Sequence, residues 1–244
     1  VPHSPVPTGP LAERLAAVRA RVSAAAADAG RAPDAVRLLV ATKTQDASMV
    51  LAAVEAGADL LGENRVQELV AKAPALAPHV AAGRVAVHMI GHLQRNKVNQ
   101  VLGAAGCVES VDSLALALAL SERCVRDGRT LDVMVQVNVS GEPSKSGTLP
   151  DDGPSLAFDV AALPGLRLTG FMTIGARSDD EQVVRAGFAR LREIRDDVAS
   201  SGRPGTDDAR ELSMGMSGDL ELAVAEGATI VRVGTAVFGP RPTA

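Results

Sequence analysis

The stretch Val36-Arg37-Leu38-Leu39-Val40-Ala41-Thr42-Lys43 is an apolar run of strand length that stops at a polar pair. A run broken by one arginine, without a polar residue at every second place, describes a strand covered on both faces, as in a parallel sheet flanked by helices. Runs of the same kind recur at 58–62, 85–90, 107–111, 131–139, 166–174, 211–214 and 229–238. Helix-length amphipathic segments fill the intervals at 47–56, 65–73, 94–102, 113–127, 156–163, 180–200 and 219–226. A helix over 11–29 opens the chain, with Leu11, Leu15, Val18 and Val22 at helical spacing and Gly30 suited to its C-terminal cap. Eight strand–helix repeats in 244 residues have the size and rhythm of an α/β fold of the (β/α)8 TIM-barrel type, whereas a doubly wound sheet has about five to seven strands. No Pro/Gly/Ser-rich linker divides the chain and 140–154 reads as a long loop after the fifth strand, so a single domain over 1–244 is expected.

Composition narrows the function classes. Hydrophobic residues make up 46% and charged residues 22%, enough apolar content for a sizeable core. With no Trp, no Tyr and four Phe, that core must be built from Ala, Val, Leu and Ile. Aromatic platforms for stacking bases are nearly missing, and a net charge of -4 argues against a phosphate-backbone binder, so no nucleic-acid partner is expected. No apolar run reaches about 18 residues and positions 1–10 lack the basic and apolar regions of a signal peptide, which predicts a soluble cytoplasmic protein without membrane contact. Cys107 and Cys124 fit neither a metal spacing nor a disulfide framework and read as buried free thiols. His88 and His92, four apart on a strand, would stand roughly 13 Å apart, too far for one ion; no metal site is expected. There is no G-x-x-x-x-G-K-[ST] phosphate loop and no G-x-G-x-x-G fingerprint, so nucleotide hydrolysis and NAD chemistry lack support.

In a barrel the functional side chains gather where the strands end and the following loops converge. Polar residues interrupt the apolar runs at that end in each of several places, among them Thr42-Lys43-Thr44, Glu63-Asn64-Arg65, Gly91-His92 and Arg232-Val233-Gly234-Thr235. Lys43 carries the most information. Partial burial and nearby cations can lower a lysine from about 10.4 toward neutrality, the state that attacks an aldehyde; taken alone, Lys43 also reads as an ordinary exposed lysine. The second cluster is 213–219 with 232–235, where a Ser/Gly-rich turn opening a helix offers free N–H groups to an anion. Barrels commonly hold phosphate at the loops after their seventh and eighth strands. Taken alone, Ser217 could simply cap its helix and Gly234 could simply permit close packing.

Seven segments in order carry a resemblance: Ala41-Thr42-Lys43-Thr44, Gly62-Glu63-Asn64-Arg65-Val66-Gln67-Glu68, His88-Met89-Ile90-Gly91-His92-Leu93-Gln94-Arg95-Asn96-Lys97, Ser144-Lys145-Ser146-Gly147, Gly170-Phe171-Met172-Thr173-Ile174, Leu212-Ser213-Met214-Gly215-Met216-Ser217-Gly218-Asp219 and Val231-Arg232-Val233-Gly234-Thr235-Ala236-Val237-Phe238-Gly239-Pro240-Arg241. Together they resemble the pyridoxal phosphate homeostasis (YggS/PROSC) family over nearly the whole chain. The resemblance implies a fold-type III barrel binding pyridoxal 5'-phosphate (PLP), like the N-terminal domain of alanine racemase without that enzyme's second domain. It implies a Schiff base on Lys43, a phosphate held by Ser213, Gly234 and Thr235, and Arg232 facing the pyridine nitrogen. Asn64, Met214 and Ser217 would line the site. A monomeric carrier in vitamin B6 homeostasis follows, with PLP-requiring apoenzymes as acceptors and no efficient catalysis. A guanidinium stays charged and disfavours protonation of a ring nitrogen beside it, which weakens the cofactor as an electron sink.

The alternative is a PLP-dependent amino-acid racemase. Related racemases take a tyrosine from a partner subunit as second base, and this chain has none, so His92 or Cys107 would have to serve. Lys97 and Lys145, in loops near the expected mouth, read either as waypoints for PLP transfer or as solvated lysines. The chain departs from the family pattern at Leu61, Val87 and Thr148, where aromatics are usual, and at Asp46, where proline is frequent.

Overall fold

Successive side chains of a strand point to opposite faces, and the apolar runs divide along that alternation. From the first run Leu38 and Val40 join a large outer core, while Leu39 and Ala41 join a smaller inner one. This is the pattern of strands that line a closed barrel and carry helices on its outside.

The computed structural model describes residues 9–239. The N-terminal positions 1–8, read above against a signal peptide, and Pro240 and Arg241 of the last motif lie outside the described residues. Helix α1 (Pro10–Asp28) precedes β1 (Arg37–Ala41), α2 (Ala47–Glu55), β2 (Leu60–Glu63), α3 (Val66–Ala81) and β3 (Ala86–Met89). A 3-10 turn (Arg95–Lys97) runs into α4 (Val98–Leu102), followed by β4 (Cys107–Val111), α5 (Leu114–Arg126), β5 (Leu131–Gln136), α6 (Gly153–Ala161) and β6 (Leu166–Met172). Then follow α7 (Glu181–Ala199), β7 (Glu211–Ser213), α8 (Leu220–Ala225), β8 (Ile230–Val233) and α9 (Thr235–Phe238). Each strand pairs in parallel with the next in chain order, and β8 closes on β1 with Leu39 opposite Arg232 and Val40 opposite Val233. The expected TIM barrel is the observed fold.

Two expectations need correction. The last run, read as a strand over 229–238, breaks at Gly234, and Thr235–Phe238 forms α9; its apolar residues are there to pack on helices, with Val237 in the outer core. The third helix continues to Ala81, past Pro74 and Pro78. A proline removes the hydrogen bond to the carbonyl four residues back. Here those carbonyls belong to Val70 and Pro74, both exposed residues, where solvent can stand in for the lost donors.

The departure at Asp46 has a structural answer. Its φ of -76° is close to the angle a proline ring imposes. Its carboxylate also caps α2 by accepting the Met49 N–H at 2.8 Å.

Candidate functional site

Lys43 follows two residues after Ala41, at the C-terminal mouth of the barrel, and lines a small hollow with Ala41, Thr44, Gly234, Thr235 and Phe238. The side chain is exposed, and among the described residues its amine has no hydrogen-bond partner. The loop that carries it is fastened from below. Thr44 adopts a left-handed φ of 65°, unusual for a β-branched residue, and its N–H donates to Glu68 Oε2 at 2.7 Å. The buried Lys72 donates to the Thr42 carbonyl at 2.8 Å and to Glu63, which also accepts from the Thr42 hydroxyl. Lys72 escaped notice in the sequence. Its signal was a lysine standing on the buried stripe of α3 with Val66, Leu69 and Leu76.

The other side of the hollow is the turn from β8 into α9. A Cβ on Gly234 would lie 2.9 Å from the Ala41 carbonyl oxygen, so glycine lets this turn close on β1. The first N–H groups of a helix lack intrahelical acceptors, and Thr235 opens α9 beside Lys43. In the neighbouring loop after β7, Asp219 Oδ1 accepts the Met216 N–H at 2.6 Å. Ser217 is half-buried and its hydroxyl has no partner among the described residues; the N-cap position of α8 belongs to Asp219. Helix α1 secures both loops from outside. Arg21 donates to the Ser217 carbonyl at 2.9 Å and pairs with Glu221, and Arg14 donates to the Val237 carbonyl at 2.7 Å.

Below the mouth a polar network runs through the otherwise apolar inner core. Arg232 is buried and donates to Ser213 Oγ at 2.9 Å and to the Thr173 carbonyl at 2.6 Å. Ser213 donates to Glu109 Oε2 at 2.5 Å, and Glu109 Oε1 lies 2.6 Å from His88 Nδ1. Desolvation pushes the Glu109 carboxyl up. Its hydrogen bond with His88, the charges of His88 and Arg232, and the Ser213 hydroxyl outweigh that and leave it below the usual carboxylate value. Burial likewise lowers Arg232, against the raising effect of Glu109 and Asp219.

The structure therefore gathers Lys43, Gly234 and Thr235 around one hollow and places Arg232 and Ser213 just inside the barrel. Asn64 is half-buried in an adjoining hollow with Arg65, His92, Gln94 and Lys97, and its Oδ1 is buried without a partner. Met214 is a correction: it is fully buried in the outer core, facing away from the lumen that Ser213 enters. Cys107, the first residue of β4, lies in the inner core at the opposite end of the barrel from Lys43, and burial pushes its thiol well up. It is no second base for the mouth. His92 is exposed, 3.2 Å from Asp112. Lys145 is not a solvated loop lysine, since it donates to Glu142 at 2.5 Å and to the Gly175 carbonyl at 2.8 Å. Both cysteines are buried and free, as expected. Among the described residues no group of three metal-ligating side chains occurs, and no helix is long and apolar enough to cross a membrane.

Comparison with known proteins bears on the fold and the family. Residues 14–242 match the family model for the alanine racemase N-terminal domain. A pyridoxal phosphate homeostasis protein of Pseudomonas aeruginosa is 45% identical over 95% of this chain and 96% of its own. The crystal structure of an unknown protein from Bifidobacterium adolescentis superposes with a TM-score of 0.90 at 48% identity, covering 93% of this chain and 94% of that one. PipY of Synechococcus elongatus, in a structure with PLP bound, superposes with a TM-score of 0.78 at 31% identity, covering 94% of this chain and all of the other (100%). The chain thus belongs to the pyridoxal phosphate homeostasis protein family, built on the barrel of the alanine racemase N-terminal domain.

Proposed function

We propose that this protein binds PLP covalently through Lys43 and serves vitamin B6 homeostasis as a carrier, without efficient catalysis of its own. The observation that carries the reading is the sharing of one hollow by the Lys43 amine and the Gly234–Thr235 turn, which suits a ligand with an aldehyde at one end and a phosphate at the other. The family's naming and the PLP bound to PipY support it.

The residues present fit the group. Lys43 has an uncommitted amine, Asn64 has an orphaned buried oxygen, and Arg232 is a fixed cation two residues before Gly234. Bound PLP supplies an aldehyde that condenses with a primary amine, and an electron-withdrawing ring. Gly234 and Thr235 would hold the phosphate with Ser217 lining the site, while Ser213, expected to join them, has its hydroxyl engaged by Glu109 and Arg232; Arg232 would face the pyridine nitrogen. A permanent cation there keeps the ring nitrogen unprotonated, which limits carbanion chemistry. The chain also offers no tyrosine as a second base. PLP-requiring apoenzymes are the proposed acceptors, and the proposed carrier is a single chain of 25.0 kDa.

Borohydride reduction of the PLP-loaded protein followed by peptide mapping tests the assignment. The expected adduct is on Lys43; labelling at another lysine, or none, overturns it. Amino-acid α-proton exchange no faster than with free PLP is the expected companion result, and light scattering should return the mass of one chain.

A further inference from the structure

The lumen holds an unbroken line of polar contacts from one end of the barrel to the other. It runs from His88 to Glu109 (2.6 Å), from Glu109 to Ser213 (2.5 Å), from Ser213 to Arg232 (2.9 Å) and from Arg232 to the Thr173 carbonyl (2.6 Å). Glu109 and Ser213 are wholly buried (0% exposed) and Arg232 is nearly so (6%). A buried guanidinium needs an anion, and a buried carboxylate needs its lone pairs filled; the Ser213 hydroxyl lets one satisfy the other. An ionised carboxylate only accepts. The single hydroxyl proton of Ser213 therefore points at Glu109, and its oxygen receives the Arg232 N–H. That leaves Ser213 no proton for a phosphate and makes it part of the Arg232 mount.

We propose that Glu109 is the positioning residue of the cofactor site, fixing Arg232 through Ser213, and that His88 transmits to this mount the protonation conditions at the opposite face of the barrel. The proposal rests on the reading that Arg232 faces the ring nitrogen of PLP. His88 lines a hollow at the N-terminal face, where Arg37, Cys107 and Glu211 begin their strands. Cys107 of β4 faces His88 as a thiol that burial keeps neutral. Arg37 of β1 is paired with Glu211 of β7 at 2.8 Å, and Arg167 of β6 with Asp132 of β5 at 2.7 Å; Asp208 and Arg210 also line this hollow, and Arg129 lines a second one with His88. The carboxylate bonded to His88 is Glu109.

The test uses the full chain with PLP itself. Glu109→Gln, which loosens the mount of Arg232, should weaken PLP binding by about ten- to a hundredfold. It should also shift the pH midpoint of the Lys43 adduct's absorbance. His88→Gln should keep the loading and flatten the pH dependence of that absorbance. Ser213→Ala, which leaves His88 and Glu109 paired but cuts the link to Arg232, should reproduce both effects and serves if Glu109→Gln does not fold. A folded Glu109→Gln or Ser213→Ala protein with wild-type affinity and an unchanged titration overturns the proposal. Wild-type protein that forms no Lys43 adduct instead overturns the carrier reading. The mount can then still be judged without PLP, by a double-mutant cycle of Glu109→Gln with Arg232→Met on thermal stability, where strict additivity rejects it.

Discussion

The buried ammonium of Lys72 donates to the carbonyl oxygen of Thr42 at 2.8 Å, one peptide before Lys43. The lysine proposed to hold cargo is thus aimed by a second lysine that never reaches the surface, with Glu63 and Glu68 as its counter-charges.

Removing that second lysine should loosen the first. Lys72→Met leaves Glu63 buried without its cation, and breaking one side of a buried ion pair typically costs about 3–5 kcal/mol. Denaturant unfolding should register a loss of this size, with a lower yield of borohydride-fixed PLP on Lys43 in protein that remains folded. An undiminished stability would show that Lys72 is not a support.

Gly234→Ala places a methyl 2.9 Å from the Ala41 carbonyl oxygen and 3.4 Å from the Ala41 Cβ. Backbone must move, and overpacking of this kind costs about 1–3 kcal/mol. The expected result is a folded barrel of lower melting temperature that binds PLP more weakly, since β8 and α9 part from β1 at the hollow. Gly83→Ala meets no neighbour within 4 Å but has a φ of 66°, so it should lower stability without touching PLP affinity.

Asp46→Ala deletes the cap of α2, whose acceptor holds the Met49 N–H. Such changes cost about 0.5–2 kcal/mol. Unfolding should report that loss while PLP affinity stays at the wild-type value.

Acid should test the lumen. Desolvation raises the Glu109 carboxyl, but its bond with His88, the charges of His88 and Arg232 and the Ser213 hydroxyl win and hold it below its ordinary value. A carboxyl depressed by folding contributes stability above its unfolded pKa of about 4.3, and that contribution is lost as pH falls through the folded value. Melting temperatures measured from about pH 6 down to 3 should therefore fall more steeply for the wild type than for Glu109→Gln. Parallel curves would show that Glu109 does not carry this dependence.

The barrel was legible because strands covered on both faces leave near-continuous apolar runs, and eight of them alternate with amphipathic helices. The last run misled at Gly234 because Val237 and Phe238 are as apolar in a helix packed on α1 as they would be in a strand. Lys43 and the Gly234–Thr235 turn stood out by their place at strand ends, where the hollow they share now lies, while their proposed roles came from the family resemblance. The place of Met214 was not legible, since its side of β7 depends on the alternation that sends Ser213 inward. Glu109, Lys72 and Arg14 were invisible for another reason. Each acts on a residue far away in the chain, and a charge's distant partner leaves no local periodicity to read.

Helix α1 grips the loop after β7 through Arg21 and the last turn of α9 through Arg14. Any ligand seated against both segments would be linked to the attachment of this helix, each strengthening the other by the same factor. For the proposed carrier, the latch would then lie on the outer wall, and prising away the first helix would open two sides of the berth at once.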